Sequence, residues 1–182
     1  MRIRSPSIAA LACVLMTLAA PPTLAGGPAM TLADARAWLL RMHAAASQRS
    51  YQGTLVLSAD GQVSSLRLAH YCEGNNSYER IDVLDGEVRR ILRHNDHVLT
   101  LWPAAKAART EQRDAVAQFP SLLTGGGEQL FERYEMHSEG PGRVAGHDAA
   151  VFLLQPRDAS RFAQRLWAHS ASGLLLRADV IG

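Results

Sequence analysis

Residues 70–103, HYCEGNNSYERIDVLDGEVRRILRHNDHVLTLWP, leave this chain few folds to choose from. Turn chemistry interrupts the stretch three times: at Asn75-Asn76-Ser77, at Asp85-Gly86 and at His94-Asn95-Asp96. Gly and Asn tolerate positive φ, so such pairs suit tight hairpin turns. Between the turns the residues are β-branched, aromatic or alternating, over Tyr78–Leu84, Val88–Arg93 and His97–Trp102. The pattern predicts an antiparallel meander.

The chain ahead of the meander adds a helix and a hairpin. Thr31 is an N-cap candidate with Asp34 three places on, and the spacing of Ala35, Trp38, Leu39, Met42 and Ala45 predicts an amphipathic helix over Leu32–Ala46. Tyr51–Leu57 and the run through Leu66, Leu68 and His70 alternate about a turn at Ala59-Asp60-Gly61. One face of this hairpin is apolar and the other mixed, as in an antiparallel sheet covered on one side.

Beyond Trp102-Pro103 the reading is a strand at Ala107–Gln112, a short helix over Asp114–Leu123 ended by Thr124-Gly125-Gly126-Gly127, and a helical or extended piece at Glu128–Tyr134. The apolar Phe119, Leu122 and Leu123 between glycines fit either a flap over a concave surface or an ordinary connection. Met136–Gly142 reads as a turn region, and Ala149–Gln155, Phe162–His169 and Leu174–Ile181 read as strands. About ten strands in one long sheet curl or split. The fold class is therefore α+β: a strongly curled antiparallel sheet, like an unclosed barrel, with an N-terminal helix and a helical insertion.

The N-terminus reads as an export signal rather than fold. Arg2 and Arg4 precede an apolar run over Ile8–Leu18, and Pro21-Pro22-Thr23-Leu24-Ala25 offers a small-residue cleavage site. Residues 1–25 are assigned as signal peptide and 26–182 as one domain. Cys13 lies within the apolar run, with Leu11 one place too close for a lipidation box. Without Arg2 and Arg4 the chain holds 17 basic against 17 acidic residues, so its charge gives no reason to expect nucleic acid. Cys72 alone survives processing, which rules out an internal disulfide. The expected location is the periplasm.

Catalytic constellations are not found. There is no G-x-S-x-G elbow, and Gly125-Gly126-Gly127 lacks a following Lys-Ser or Lys-Thr. Cys72 stands beside Glu73, which disfavours a thiolate. His94 and His97 flank a turn with Asp96 between them, and turn chemistry accounts for them without a metal or any cofactor. The reading is a non-enzymatic binding module. Strand alternation nominates Leu55, Leu57, Leu66, Leu68 and Trp102 for an apolar concavity that a lipid would fill. Arg80, Arg90 and Arg93 are nominated for anionic or partner contacts, against the plainer reading of a solvated face paired with Glu79, Asp82 and Glu87.

In their order, Tyr51-Gln52-Gly53-Thr54, His70-Tyr71-Cys72-Glu73-Gly74, Tyr78-Glu79-Arg80, Leu84-Asp85-Gly86, Arg93-His94-Asn95-Asp96, Trp102-Pro103, Phe119-Pro120-Ser121-Leu122-Leu123 and Arg143-Val144-Ala145-Gly146 resemble the RseB/MucB family. The resemblance implies a lipoprotein-carrier-like (LolA/LppX-like) N-terminal domain in a periplasmic negative regulator of the envelope-stress sigma factor. It implies binding to the periplasmic domain of a membrane-spanning anti-sigma factor (RseA/MucA-like) and its protection from regulated proteolysis. Lipopolysaccharide or lipoprotein acyl chains would relieve that protection by shifting a population. Homo-oligomers are compatible with this reading. Family members continue into a smaller C-terminal domain, which this chain, ending at Gly182, is expected to lack. A periplasmic lipid or lipoprotein carrier on the same fold is the alternative.

Overall fold

The computed structural model describes residues 27–59, 61–112 and 127–182. Helix α1 (Leu32–Gln48) opens the fold, followed by β1 (Tyr51–Ala59), β2 (Gln62–Glu73), β3 (Asn76–Val83), β4 (Arg90–His94), β5 (His97–Trp102) and β6 (Ala107–Gln112). A short helix α2 (Gly127–Arg133) leads into β7 (Tyr134–Val144), β8 (His147–Pro156), β9 (Ala163–His169) and β10 (Leu175–Ile181). Consecutive strands pair antiparallel throughout, except β6 and β7. The unclosed, mostly antiparallel architecture with few helices is the one the sequence implies. The ten strands, however, form two ladders rather than one long sheet, β1 to β6 in order and β7 to β10 in order. The connection carrying α2 separates them in sequence.

The Thr31 cap is present: its side-chain oxygen accepts the Asp34 backbone N–H at 3.2 Å. Satisfying one of the orphan donors of the first turn fixes the helix start. The buried stripe is Ala35, Leu39, Met42, Ala45 and Ala46, the face the apolar spacing indicates. Ala35, Leu39 and Met42 pack on Tyr134, Met136, Phe152, Leu154, Leu166 and Ala168 of the four-stranded sheet, with Trp38 tilted over Phe152 at 4.7 Å between ring centroids. The helix's C-terminal end meets the other sheet. There the Tyr51 hydroxyl donates to the Ala46 carbonyl at 3.4 Å and the Cys72 thiol to the Ser47 carbonyl at 3.1 Å.

Two local readings need correction. Met136–Gly142 is no turn; it lies inside β7. Gly140 takes φ 86° and the register slips between Ser138 and Gly140, so the glycine makes a bulge that keeps the strand paired with β8. Pro141 is tolerated because β7 is an edge strand of its sheet. The first turn of the meander also falls earlier than Asn75-Asn76-Ser77. Glu73 pairs with Asn76, and Gly74 at φ 57° takes the tight position. The turn at Asn95 stands, with φ 53°. The expected helix over Asp114–Leu123, with Phe119, Leu122 and Leu123, and the signal peptide lie outside the described residues; Glu128–Tyr134 is helical up to Arg133.

Candidate functional site: the hollow of the six-stranded sheet

Strand alternation and the ladder register sort the six-stranded sheet into two faces. Leu55 pairs with Leu66, Leu57 with Ser64, and Gly53 with Leu68, whose next partners across the sheet are Ile81, Ile91 and Thr100. Leu55, Leu57, Leu66, Leu68 and Trp102 therefore share one face. So do Tyr51, His70, Cys72, Glu79, Arg93 and Val98. Around its α1 end this face is closed in: His70 is 5% exposed and Val98 is buried.

His70 stacks on Tyr51 with centroids 5.0 Å apart, and its Nε2 lies 3.1 Å from the Cys72 sulfur. Its Nδ1 has no hydrogen-bond partner among the described residues. Burial first, then the charge of Glu79 and the neighbouring Cys72, pushes the Tyr51 hydroxyl up to about 12. The Cys72 thiol donates to the Ser47 carbonyl in the last turn of α1.

The opposite face carries a hollow of about 790 Å³. Two rows of side chains run across the strands there. Tyr71, Tyr78, His94 and His97 form one row, each the ladder partner of the next. Gln52, Ala69, Arg80, Leu92, Leu99 and Thr110 form the second. All ten line the hollow, and Tyr51, His70, Glu79, Arg93 and Val98, at the strand positions between the rows, border it too. Rows two residues apart stand about 7 Å from each other, and five inter-strand gaps span about 24 Å. This is a groove as wide as one extended chain.

One wall is aromatic. Tyr78 and His94 stack with centroids 4.5 Å apart and planes 3° from parallel, and Tyr71 follows at 6.3 Å. Tyr71 and Tyr78 are 53% and 39% exposed, so the wall faces water rather than core. The other wall is apolar at Ala69, Leu92 and Leu99 and cationic at Arg80.

The nominated arginines do not form one cluster. Arg80 and Arg90 share the hollow's face and both clasp Asp82, at 2.9 and 2.5 Å. The hydrogen bond from Arg90, then that from Arg80, holds the Asp82 carboxyl below the usual carboxylate range. Arg93 projects to the other face, where it donates to the Asn95 carbonyl at 2.7 Å and lies 3.9 Å from Glu79. Arg80 and Arg93 line the hollow and Arg90 does not; neither does any of Leu55, Leu57, Leu66, Leu68 and Trp102. Nominating the face of Leu55, Leu57, Leu66, Leu68 and Trp102 missed Tyr71, Tyr78, Leu92 and Leu99 on the other. The signal was the spacing of the turns, which sets the register that brings Tyr71, Tyr78 and His94 into line. No group of three or more His, Cys, Asp or Glu side chains among the described residues is arranged to hold a metal.

Comparison with known proteins gives the family. Residues 34–182 match the MucB/RseB N-terminal domain. The chain is 30% identical over 152 residues to the sigma factor AlgU regulatory protein MucB of Pseudomonas aeruginosa, covering 83% of this chain and 46% of that protein. It is 26% identical over 148 residues to the sigma-E factor regulatory protein RseB of Haemophilus influenzae, covering 81% of this chain and 47% of the relative. Among solved structures, the Pseudomonas aeruginosa MucA/MucB complex aligns with TM-score 0.65 and 29% identity over 81% of this chain and 50% of that one. MucB alone aligns with TM-score 0.65 and 28% identity over 82% of this chain and 53% of that one. The chain thus spans about half the length of the curated relatives it matches. From residue 34 to residue 182, this chain belongs to the MucB/RseB N-terminal domain family.

Proposed function

We propose that this protein is a periplasmic regulator of an envelope-stress sigma factor. It binds the periplasmic segment of a membrane-spanning anti-sigma factor and shields it from regulated proteolysis, and lipid or lipoprotein signals weaken that hold. The observation that carries the reading is the likeness to MucB, a sigma factor regulatory protein whose structure is known in complex with MucA, over four-fifths of this chain. The fold supports it: a rigid helix-on-sheet core leaves a second sheet with an open groove. Residues 1–25 serve as the export signal in this reading. The regulator has no catalytic step of its own.

The test is calorimetric titration of the mature chain, Gly26–Gly182, with the periplasmic anti-sigma segment, with and without lipopolysaccharide. Saturable binding that lipopolysaccharide weakens is the expected result. Absence of binding, together with acyl chains that co-purify and pass to an acceptor protein, would replace the regulator with a carrier.

A further inference from the structure

On the face of the six-stranded sheet turned away from the hollow, the regulatory reading leaves one pair of side chains unused. His70 and Cys72 stand on β2 with one residue between them, so alternation puts them on the same side. The Cys72 sulfur lies 3.1 Å from the His70 Nε2 and 3.1 Å from the Ser47 carbonyl at the end of α1. The thiol hydrogen thus has two acceptors within reach. His70 is 5% exposed, and its Nδ1 has no hydrogen-bond partner among the described residues. A buried imidazole whose polar contact is a sulfur is a costly choice for packing alone. Cys72 is only half-buried, and Ser50, whose Oγ accepts the Cys72 N–H, is exposed beside it.

Glu73, the chain neighbour that argues against a reactive thiol, alternates to the other face of β2. The groups that share the face of Cys72 are Tyr51 of β1, Ser77 and Glu79 of β3, and Arg93 of β4. Glu79 is the ladder partner of His70. Its charge reaches this corner, since after burial it is the next cause of the raised Tyr51 hydroxyl. Arg93, 3.9 Å from Glu79, offsets part of that charge. The Glu79 carboxylate attracts a positive charge that forms on the His70 ring while the ring holds a second proton.

We infer that Cys72 is a modification site, a thiol that exchanges with small disulfides while His70 takes its proton. The Sγ–H proton passes to His70 Nε2 as Sγ bonds to the nearer sulfur of the reagent. The reagent's S–S bond breaks, and its far sulfur leaves with the electron pair and takes the proton back from Nε2. Cys72 is oxidised to a mixed disulfide, and half of the reagent is reduced to a thiol. The adduct has no Sγ–H to donate to Ser47, so a bond between the last turn of α1 and the six-stranded sheet is lost. The inference does not depend on the anti-sigma reading.

The test treats the mature chain, Gly26–Gly182, in which Cys72 is the single cysteine, with hydroxyethyl disulfide at neutral pH and follows the adduct by mass spectrometry. The folded chain is expected to react roughly tenfold faster than the same chain unfolded in urea, because a positioned proton acceptor outweighs partial burial. A half-buried thiol without such help reacts more slowly folded than unfolded. His70→Gln is expected to bring the folded rate below the unfolded one and to leave the unfolded rate unchanged. Glu79→Gln, which keeps the imidazole, is expected to lower the folded rate by a smaller factor. A folded chain that reacts no faster than the unfolded one overturns the proposal, and that comparison needs no variant. A His70→Gln chain that keeps both the urea midpoint and the folded rate of the parent overturns it too. Where His70→Gln fails to fold, Glu79→Gln decides, and a folded rate equal to the parent's overturns the proposal.

Discussion

Of the sixteen apolar residues buried among the described residues, fifteen belong to α1 and the four-stranded sheet, and one, Val98, to the six-stranded sheet. Both sheets come from the same alternating chemistry, yet among the described residues only the first is closed by a helix. Phe152, Leu154 and Leu166 meet Leu39 and Met42 there, and burial of that kind dominates folding free energy. The second sheet keeps its strands by ladder bonds and half-buried side chains. Tyr71, Tyr78, Val56 and Val63 stay in water. Exposed apolar surface of this kind is what makes this sheet the candidate binding face. The lesson is a division of labour: one sheet fixes the fold, and the other presents a groove.

The contrast can be broken most directly in the core. Phe152→Ala is expected to cost about 3–5 kcal/mol in urea unfolding, the usual price of an aromatic cavity. Val98→Ala, at the single buried apolar site of the other sheet, is expected to cost about 1.5 kcal/mol, the transfer of two methyl-sized groups. If Val98→Ala proved as damaging as Phe152→Ala, the six-stranded sheet would have a core of its own.

Glycines offer a second comparison. A Cβ at Gly142 in the four-stranded sheet would meet Val151 Cγ2 at 2.7 Å and Trp167 Cδ1 at 3.4 Å. Gly142→Ala should therefore destabilise by about 1–3 kcal/mol through overpacking. At Gly53 on β1 a Cβ meets nothing within 4 Å, and φ is not positive. Gly53→Ala should be neutral or stabilise by about 0.5 kcal/mol by restricting the unfolded chain. Thermal unfolding of the two variants side by side checks both signs.

Electrostatic effects in the open sheet should be smaller. The carboxyl of Asp82 is lowered in the folded state. Its contribution is therefore present above the ordinary carboxylate value and is lost as pH falls through the lowered one. Asp82→Asn should remove that acid-side loss and cost less than about 1 kcal/mol at neutral pH, because Arg80 and Arg90 are half exposed. Acid titrations of unfolding for parent and variant would show it; parallel curves would mean that the Arg–Asp–Arg group contributes nothing.

Tyr51 gives the smallest effect near neutrality and a distinct one in alkali. Its value is raised, so the neutral form is favoured by folding. That stability is complete below the ordinary value of 10.0 and lost as pH climbs toward about 12. Tyrosinate absorbance of the folded protein should show a late step that Tyr51→Phe abolishes.

Much of the architecture was legible residue by residue. The Thr31 cap, the Leu39–Met42 stripe, the Asn95 turn and the strands of the meander follow from local preferences that tertiary context did not override. β7 was not, because Gly140 and Pro141 read as a turn wherever no partner strand is visible; pairing with β8 turned them into a bulge on an edge. The grouping of Leu55, Leu57, Leu66, Leu68 and Trp102 on one face was also legible, since side chains alternate with a period of two. The groove was not. Its walls take residues from every strand of the six-stranded sheet, and only the ladder register says which of them stand side by side.

The sequence by itself determined the elements, the turns between them and the two-fold sorting of each strand's side chains, because these depend on neighbours along the chain. The tertiary structure alone decided that the ten described strands divide into six and four, that α1 covers the smaller set, and that Arg80 parts from Arg93. Those outcomes depend on which distant strands share hydrogen bonds and which apolar face wins the helix, and contacts between residues far apart in sequence settle both.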